Sequence, residues 1–435
     1  MFDFADDEQP LLPPPPRNMR ETGLEPGLLA ELAGKVLLAT GKCQLSVLAS
    51  RLRLPVTVLR EVLDQLQGDK LVEVGWRGDS DIDVQYQLTP AGRLQAAAWA
   101  ERQPYAGPAP VVLEAWRAQL QRQALQLPPV LAEDMAAVFA DDCLPRHIHE
   151  LAGAAMHAGR SLLLYGPSGS GKSTLARKLG RLLQGVVAVP HAVAVGAAMV
   201  QVYDPAVHLA PALPGRAPGQ RGGDLRWMLC QRPVITLGAE LALAQLDLRY
   251  DAAAGCHLAP PQALASHGLL IVDDLGRQRA PAAALLDRLA QLLDSGTDQL
   301  ALPGAPAFTL PCQAVVAFAT SLAPQEVLDG AALRRIGYKV PLGPLPDASY
   351  RSLLRQQCRA RGIAIDEAAL AYLVEQLHAG RRQPLLASLP REIVARVAEF
   401  AGFAGQPPQL NPAALDRAWA SIFADGGHAL REEAA

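Results

Sequence analysis

The residues best equipped for chemistry are Gly166, Pro167, Ser168, Gly169, Ser170, Gly171, Lys172 and Ser173, with Thr174 next in line. Glycines at this spacing let the backbone curl until successive N–H groups converge on an anion, and a helix beginning at the loop's end adds a favourable dipole. Lys172 is placed to reach the β- and γ-phosphates of a nucleotide, and the Ser173 hydroxyl to ligate Mg²⁺. Such a phosphate-binding loop needs a strand before it and a helix after it. Leu162-Leu-Leu-Tyr165 supplies an apolar strand pattern, and Thr174 to Leu183 a helical one.

Further along, His267-Gly-Leu-Leu-Ile-Val-Asp273-Asp274 reads as a buried strand ending in two carboxylates. Asp273 is expected to hold Mg²⁺ through water and Asp274 to orient or polarise the attacking water. A third apolar strand, Val315-Val-Ala-Phe-Ala-Thr320-Ser321, ends in two hydroxyls expected near the γ-phosphate or the water. Thr-Ser at a strand end also has a plain reading as turn chemistry. Arg334 and Arg335 follow a helical stretch, where one of them is expected to act as an arginine finger in a neighbouring subunit's site. Arg391, just after Pro390 at a favoured helix start, is expected to couple a lid to the nucleotide.

These residues need a scaffold. The chain has 435 residues and half of them are hydrophobic, enough for two or three domains. A formal net charge of −3 gives no global attraction to nucleic acid or to an anionic membrane. The six cysteines are scattered without a Cys-x-x-Cys pair, which points to a reducing compartment and away from a structural zinc site. The N-terminus is acidic and Pro-rich, unlike a secretion signal, and the apolar stretch 186–202 is interrupted and alternates like strands, not like a membrane span. A cytoplasmic protein is expected.

Residues 1–20 read as a disordered Pro-rich tail. Residues 22–103 read as a winged-helix-like domain: helices over 26–39, 44–51 and 56–67, strands over 71–76 and 83–88, and a last helix from Thr89-Pro90. Its recognition helix carries Glu61 and Asp64 beside Arg60, and its wing one Arg against Asp79, Asp81 and Asp83. A protein-interaction role is therefore favoured over DNA, with nucleic acid remaining possible. Residues 104–130 read as a linker, 131–345 as an α/β nucleotide-binding core with a parallel sheet and flanking helices, and 346–430 as a helical lid.

Together these motifs resemble AAA+ ATPases. Cys230-Gln-Arg-Pro-Val-Ile-Thr-Leu-Gly238-Ala-Glu240-Leu, Ile271-Val-Asp-Asp-Leu-Gly-Arg277-Gln278-Arg279 and Leu333-Arg-Arg-Ile-Gly-Tyr-Lys339 look like a bacterial family labelled "predicted ATPase with chaperone activity, associated with Flp pilus assembly". Arg20-Glu-Thr-Gly23-Leu and Tyr105-Ala-Gly-Pro-Ala-Pro110 resemble its N-terminal part, so the likeness runs from about Pro16 to Phe423. It implies ATP and Mg²⁺, a ring of identical subunits such as a hexamer, and mechanical work on a protein partner. It also suggests a pore loop within 248–259, around Tyr250. The sequence departs from the family at Ser321, where Asn is expected, and at Leu275, where Phe is usual. Two further readings stay open: an ATPase linked to DNA through the winged helix, and a nucleotide-dependent scaffold with little turnover.

Overall fold

The computed structural model describes residues 12–79, 83–211, 222–302 and 306–423. Most of the tail expectation, together with Asp81 and the last residues of the expected lid, lies outside these. The chain gathers into two compact units that do not follow chain order. One comprises residues up to Pro128, Leu183–Leu270 and Gln278–Val316. The other comprises Pro129–Leu182, Ile271–Arg277 and everything from Ala317 onward.

The first unit begins with helices Pro26–Thr40, Leu45–Leu52 and Val56–Gly68. In the first helix Pro26 sits where a missing N–H costs nothing, and Leu29, Leu32, Ala33, Val36 and Leu37 recur at helical spacing and are buried. Gly34 lets Trp99 approach closely, since a Cβ there would lie 2.7 Å from the indole. Strands Val72–Arg77 and Val84–Leu88 form an antiparallel hairpin with an irregularity between Val74 and Trp76. Lys42–Gln44 adds a third strand on the other side of Val84–Leu88. Thr89 caps the helix Pro90–Arg102, its hydroxyl accepting the Gly92 N–H at 3.0 Å.

This core does not stop at residue 103. Ala109, Ala192, Met199 and Cys256 belong to the same hydrophobic cluster. Residues 104–130, expected as a linker, hold a strand Val111–Val112 and a helix Leu113–Gln126. Val111–Val112 pairs in parallel with Ala192–Val195, which continues through Ala198–Gln201 and Cys256–Leu258 to Arg249–Asp251. The apolar stretch 186–202 is thus three strands, Val186–Pro190, Ala192–Val195 and Ala198–Gln201. Among the described residues no helix is long and apolar enough to cross a membrane.

A buried ion pair ties this unit together. Arg226 contacts Asp224 at 2.7 Å and donates to the carbonyls of Thr22 and Pro110 at 3.0 and 3.2 Å. Nε, both N–H groups of Nη1 and one of Nη2 find acceptors, which offsets much of the cost of dehydrating the charge.

In the second unit, Leu162–Tyr165 lies between Val315–Thr320 and Tyr338–Pro341, parallel to both; Ala317 and Tyr338 each stand opposite Leu162. Leu162, Leu163 and Leu164 are fully buried, as an interior parallel strand requires. Beyond the sheet come helices Asp347–Ala360, Glu367–Tyr372, Leu389–Phe403 and Pro412–Ile422. Their shared core holds Tyr350, Leu370, Leu373, Ile393, Leu415 and Trp419. The helix expected over 367–378 becomes π-helical over Leu373–Ala379. His378 is buried there: the Tyr350 hydroxyl meets its Nε2 at 2.7 Å, and its Nδ1 faces the Gln383 carbonyl at 3.1 Å.

Two measurements test these features. Arg226→Met should lower unfolding stability by about 3–5 kcal/mol, because Asp224 then stays buried without its partner, while adding Asp224→Leu should recover much of the loss. Denaturant titration of the single and double variants reads both. The second concerns acid. Burial pushes His267 down to about 4, and Arg232, which donates to its carbonyl, adds to the effect. A folded-state value below the ordinary 6.5 means that the unfolded chain takes the proton first. Stability from this site is therefore complete above about pH 6.5 and falls as pH drops toward 4, by about 2 kcal/mol at pH 5. His267→Asn, which tolerates the positive φ of 62° at this position, should reduce the loss of melting temperature between pH 7 and pH 5.

Candidate functional site

The site lies within the second unit and grows from the strand Leu162–Tyr165. The strand leads into the glycine loop, and a helix runs from Lys172 to Leu179. Gly166, Gly169 and Gly171 have φ of 142°, 81° and 97°, a region closed to most side chains. At Gly166 the space is filled as well, since a Cβ would lie 1.8 Å from the Leu342 carbonyl oxygen. Leu342 in turn donates its N–H to Tyr165 at 2.8 Å, so the strand Tyr338–Pro341 is closed onto the loop.

Lys172 is buried and folds back over the loop. Its ammonium donates to the carbonyls of Gly166 and Pro167 at 2.9 and 2.8 Å. Burial lowers its proton affinity, while Asp274 and Asp273 pull it back up. Ser170 is fully buried, and its hydroxyl has no hydrogen-bond partner among the described residues. Pro167, Ser168 and Thr174 are exposed.

The two predicted Mg²⁺ ligands come together: the Ser173 hydroxyl donates to Asp273 Oδ1 at 3.0 Å. The same carboxylate oxygen accepts the Asp274 N–H at 3.0 Å. A hydroxyl and a carboxylate are hard oxygen donors, and a Mg²⁺ that fills its remaining positions with phosphate oxygens and water needs few protein ligands. The residues fit the ion. No group of three or more His, Cys, Asp or Glu among the described residues is placed to hold a metal. Asp274 is exposed on a left-handed turn, φ 53°.

The turn after the carboxylates is pinned to the next strand. Leu275 donates its N–H to the Ala319 carbonyl at 2.7 Å, and the Thr320 hydroxyl donates to the Leu275 carbonyl at 2.8 Å. The same hydroxyl accepts the Leu322 N–H at 3.2 Å. Thr320 is thus buried and occupied in holding two turns together, whereas Ser321 is half-buried at the strand's exit. Arg334 and Arg335 end the short helix Gly330–Arg335, capped by Asp329, and both are exposed. Arg391 is exposed in the first turn of Leu389–Phe403.

Sequence reasoning singled out Arg391 on that helix but missed the residues just before it. Ser388 donates its N–H to the Gly169 carbonyl at 2.9 Å, and Ala387 lies 3.7 Å from where a Gly171 Cβ would be. The helical region therefore touches the glycine loop through its backbone, which no side-chain pattern announces. Missed too was the bond from Lys178, on the loop's own helix, to Asp142 at 2.5 Å, which anchors the segment before the strand.

Residues 346–421 match the family model described as a domain of unknown function, DUF8689. No curated protein matches the sequence. Among solved structures the chain is similar to a variant of RuvB from Thermotoga maritima, at 13% identity and TM-score 0.38, covering 67% of this chain and 71% of that one. It is similar to the same organism's RuvB described as a Holliday junction branch migration motor, at 14% identity and TM-score 0.37, covering 67% and 70%. It is also similar to NtrX from Brucella abortus in complex with ATP, at 15% identity and TM-score 0.40, covering 77% of this chain and 65% of that one, less than two thirds of NtrX.

The geometry separates Thr320 from Ser321. Thr320→Val should destabilise the protein by about 1–3 kcal/mol, since the Leu322 N–H and the Leu275 carbonyl lose their partner. Ser321→Ala should leave the unfolding midpoint unchanged. Parallel thermal melts distinguish the two, and equal effects would contradict the assignment.

Proposed function

We propose that this chain binds and hydrolyses Mg-ATP as an AAA+ ATPase, and that it works as a ring of subunits, a hexamer, remodelling or assembling a protein partner. One observation carries the nucleotide part: the hydroxyl at the end of a glycine loop is hydrogen-bonded to a carboxylate at the end of a second strand, with a buried lysine between loop and acids. Glycine loops elsewhere in proteins make surface turns. Here a hydroxyl and a carboxylate, hard-oxygen donors, stand beside a buried lysine, which is part of the donor set a Mg-triphosphate needs.

Lys172 holds the β- and γ-phosphate oxygens, exchanging carbonyl acceptors for phosphate. Ser173 and Asp273 would hold Mg²⁺, which supplies charge stabilisation at the phosphate oxygens. Asp274 orients the attacking water and accepts its proton, being one methylene shorter than the Glu many such enzymes use. Ser321 donates to the γ-phosphate or the water. Arg391 approaches the γ-phosphate from the helical lid, and Arg334 or Arg335 enters the site of the adjoining subunit, so that each site is completed in trans. The N-terminal domain recruits the protein partner. In its third helix Glu61 and Asp64 are exposed, which argues against a phosphate-facing surface.

Steady-state hydrolysis and equilibrium binding test the proposal. Lys172→Ala should abolish tight ATP binding. Asp274→Asn should keep binding and slow turnover by about 10²-fold or more. If wild type and both variants share one near-zero rate while ATP still binds, the chain is a nucleotide-dependent scaffold. Arg334→Ala or Arg335→Ala should slow turnover by about 10³-fold with binding intact. Mixing the arginine variant with Asp274→Asn subunits should restore part of the rate. Tight, steeply salt-dependent binding of duplex DNA by the full chain would move the function to nucleic acid.

A further inference from the structure

We infer that Ser388 is a positioning residue for the nucleotide site: its backbone N–H fixes the Gly169–Ser170 peptide of the glycine loop, and so holds the loop in the shape that receives the phosphates ATP and ADP share. The inference rests on the nucleotide reading above and adds a residue that acts through the loop, not on the reacting atoms.

The conformation at Gly169, φ 81°, calls for glycine, and the same freedom is the loop's weakness. Glycine loses more conformational entropy on ordering than any other residue, so a loop that takes shape only on binding gives up part of its affinity for the anion. Here the loop is held from outside at two places. Leu342 donates its N–H to Tyr165 and packs its carbonyl against Gly166. Ser388 donates its N–H to the Gly169 carbonyl at 2.9 Å. The two holds are joined, because the Leu345 N–H donates to the Leu385 carbonyl at 2.8 Å. All these residues belong to the second unit.

In a trans peptide the carbonyl and the following N–H point in opposite directions. Drawing the Gly169 carbonyl toward Ser388 turns the Ser170 N–H the other way, where it donates to the Pro167 carbonyl at 3.2 Å and closes the turn. The Pro167 carbonyl also accepts the Lys172 ammonium at 2.8 Å. The peptide that Ser388 grips, the turn and the lysine thus form one connected set. Ser388 is itself well held. The Leu389 N–H donates to the Leu386 carbonyl at 3.2 Å, and Leu385, Leu386 and Ala387 pack against the core that holds Tyr350 and Trp419. A Cβ at Gly169 would lie 2.6 Å from the Ser388 hydroxyl oxygen and 3.6 Å from the Leu386 side chain, so the segment sits directly on the loop.

The test removes the N–H alone. Ser388→Ala keeps it. Ser388→lactic acid carries the same methyl side chain on a main-chain ester, so the two variants differ at the N–H. Calorimetry on the full chain measures Mg²⁺ with ADP and with a non-hydrolysable ATP analogue. Ser388→Ala should stay within about twofold of wild type, and the ester chain should bind both nucleotides about tenfold more weakly than the alanine chain. By linkage, a bond that strengthens nucleotide binding is strengthened by nucleotide in the same ratio. Amide hydrogen exchange at Ser388 in the wild-type chain should therefore slow about tenfold at saturating ADP, a readout that needs no variant if the ester chain misfolds. An ester chain that melts lower yet binds both nucleotides as tightly as the alanine chain has lost a structural bond alone, and overturns the inference. So does weakening of one nucleotide without the other, or Ser388 exchange that ADP leaves unchanged; the nucleotide site stands in each case. A wild type that binds neither nucleotide overturns the nucleotide reading and the inference with it.

Discussion

The contact on which the rest of the site depends is the hydrogen bond between Ser173 and Asp273. It joins the first turn of a helix to the end of a strand about a hundred residues later in the chain. Neither group gains much from such a bond in water, where each is already solvated. Here each is held by a structure formed for other reasons: Ser173 by the helix that the glycine loop launches, Asp273 by a buried run of leucine, isoleucine and valine. Because the strand and the helix are placed by burial, the two oxygens meet without further ordering cost.

Charge at the site is balanced by burial. Lys172 loses part of its hydration, which favours the neutral amine, and regains stability as a cation from two loop carbonyls and the fields of Asp273 and Asp274. In the function proposed above, this ammonium exchanges carbonyl oxygens for phosphate oxygens, acceptors of the same kind that add charge. The backbone bond from Ser388 to Gly169 places a helix start against the same loop. Ser388 belongs to the region, residues 346–421, matched by the domain of unknown function.

The first unit shows how closely local patterns and long-range packing have to agree. Helices expected over 26–39, 44–51 and 56–67 stand at Pro26–Thr40, Leu45–Leu52 and Val56–Gly68, because Pro26 and Pro55 mark the starts and the apolar spacing marks the faces. The segment around Val111 offered no such help. Proline-rich composition suggested a linker, yet Val111 and Val112 pair with Ala192–Val195. That pairing is decided eighty residues away and leaves no periodic trace in so short a strand. Arg226 gives the same lesson: a lone arginine near a glycine-rich stretch reads as surface, and only the convergence of Asp224, Thr22 and Pro110 makes it a buried anchor.

What the sequence by itself determined is the chemistry available: a glycine loop with its lysine and serine, two carboxylates at a strand end, two hydroxyls at another, and the periodic apolar runs that set each element. Those follow from side-chain type and from spacings of two and about three and a half residues, which are local properties. Tertiary structure alone decided which of those groups are free to act. It engaged the Thr320 hydroxyl in holding Leu275 and Leu322, left Ser321 at the exit, and brought Ser388 to Gly169. The reason is physical: a hydrogen bond or a charge acts over a few ångströms of space, and only packing sets the distance between residues far apart in the chain.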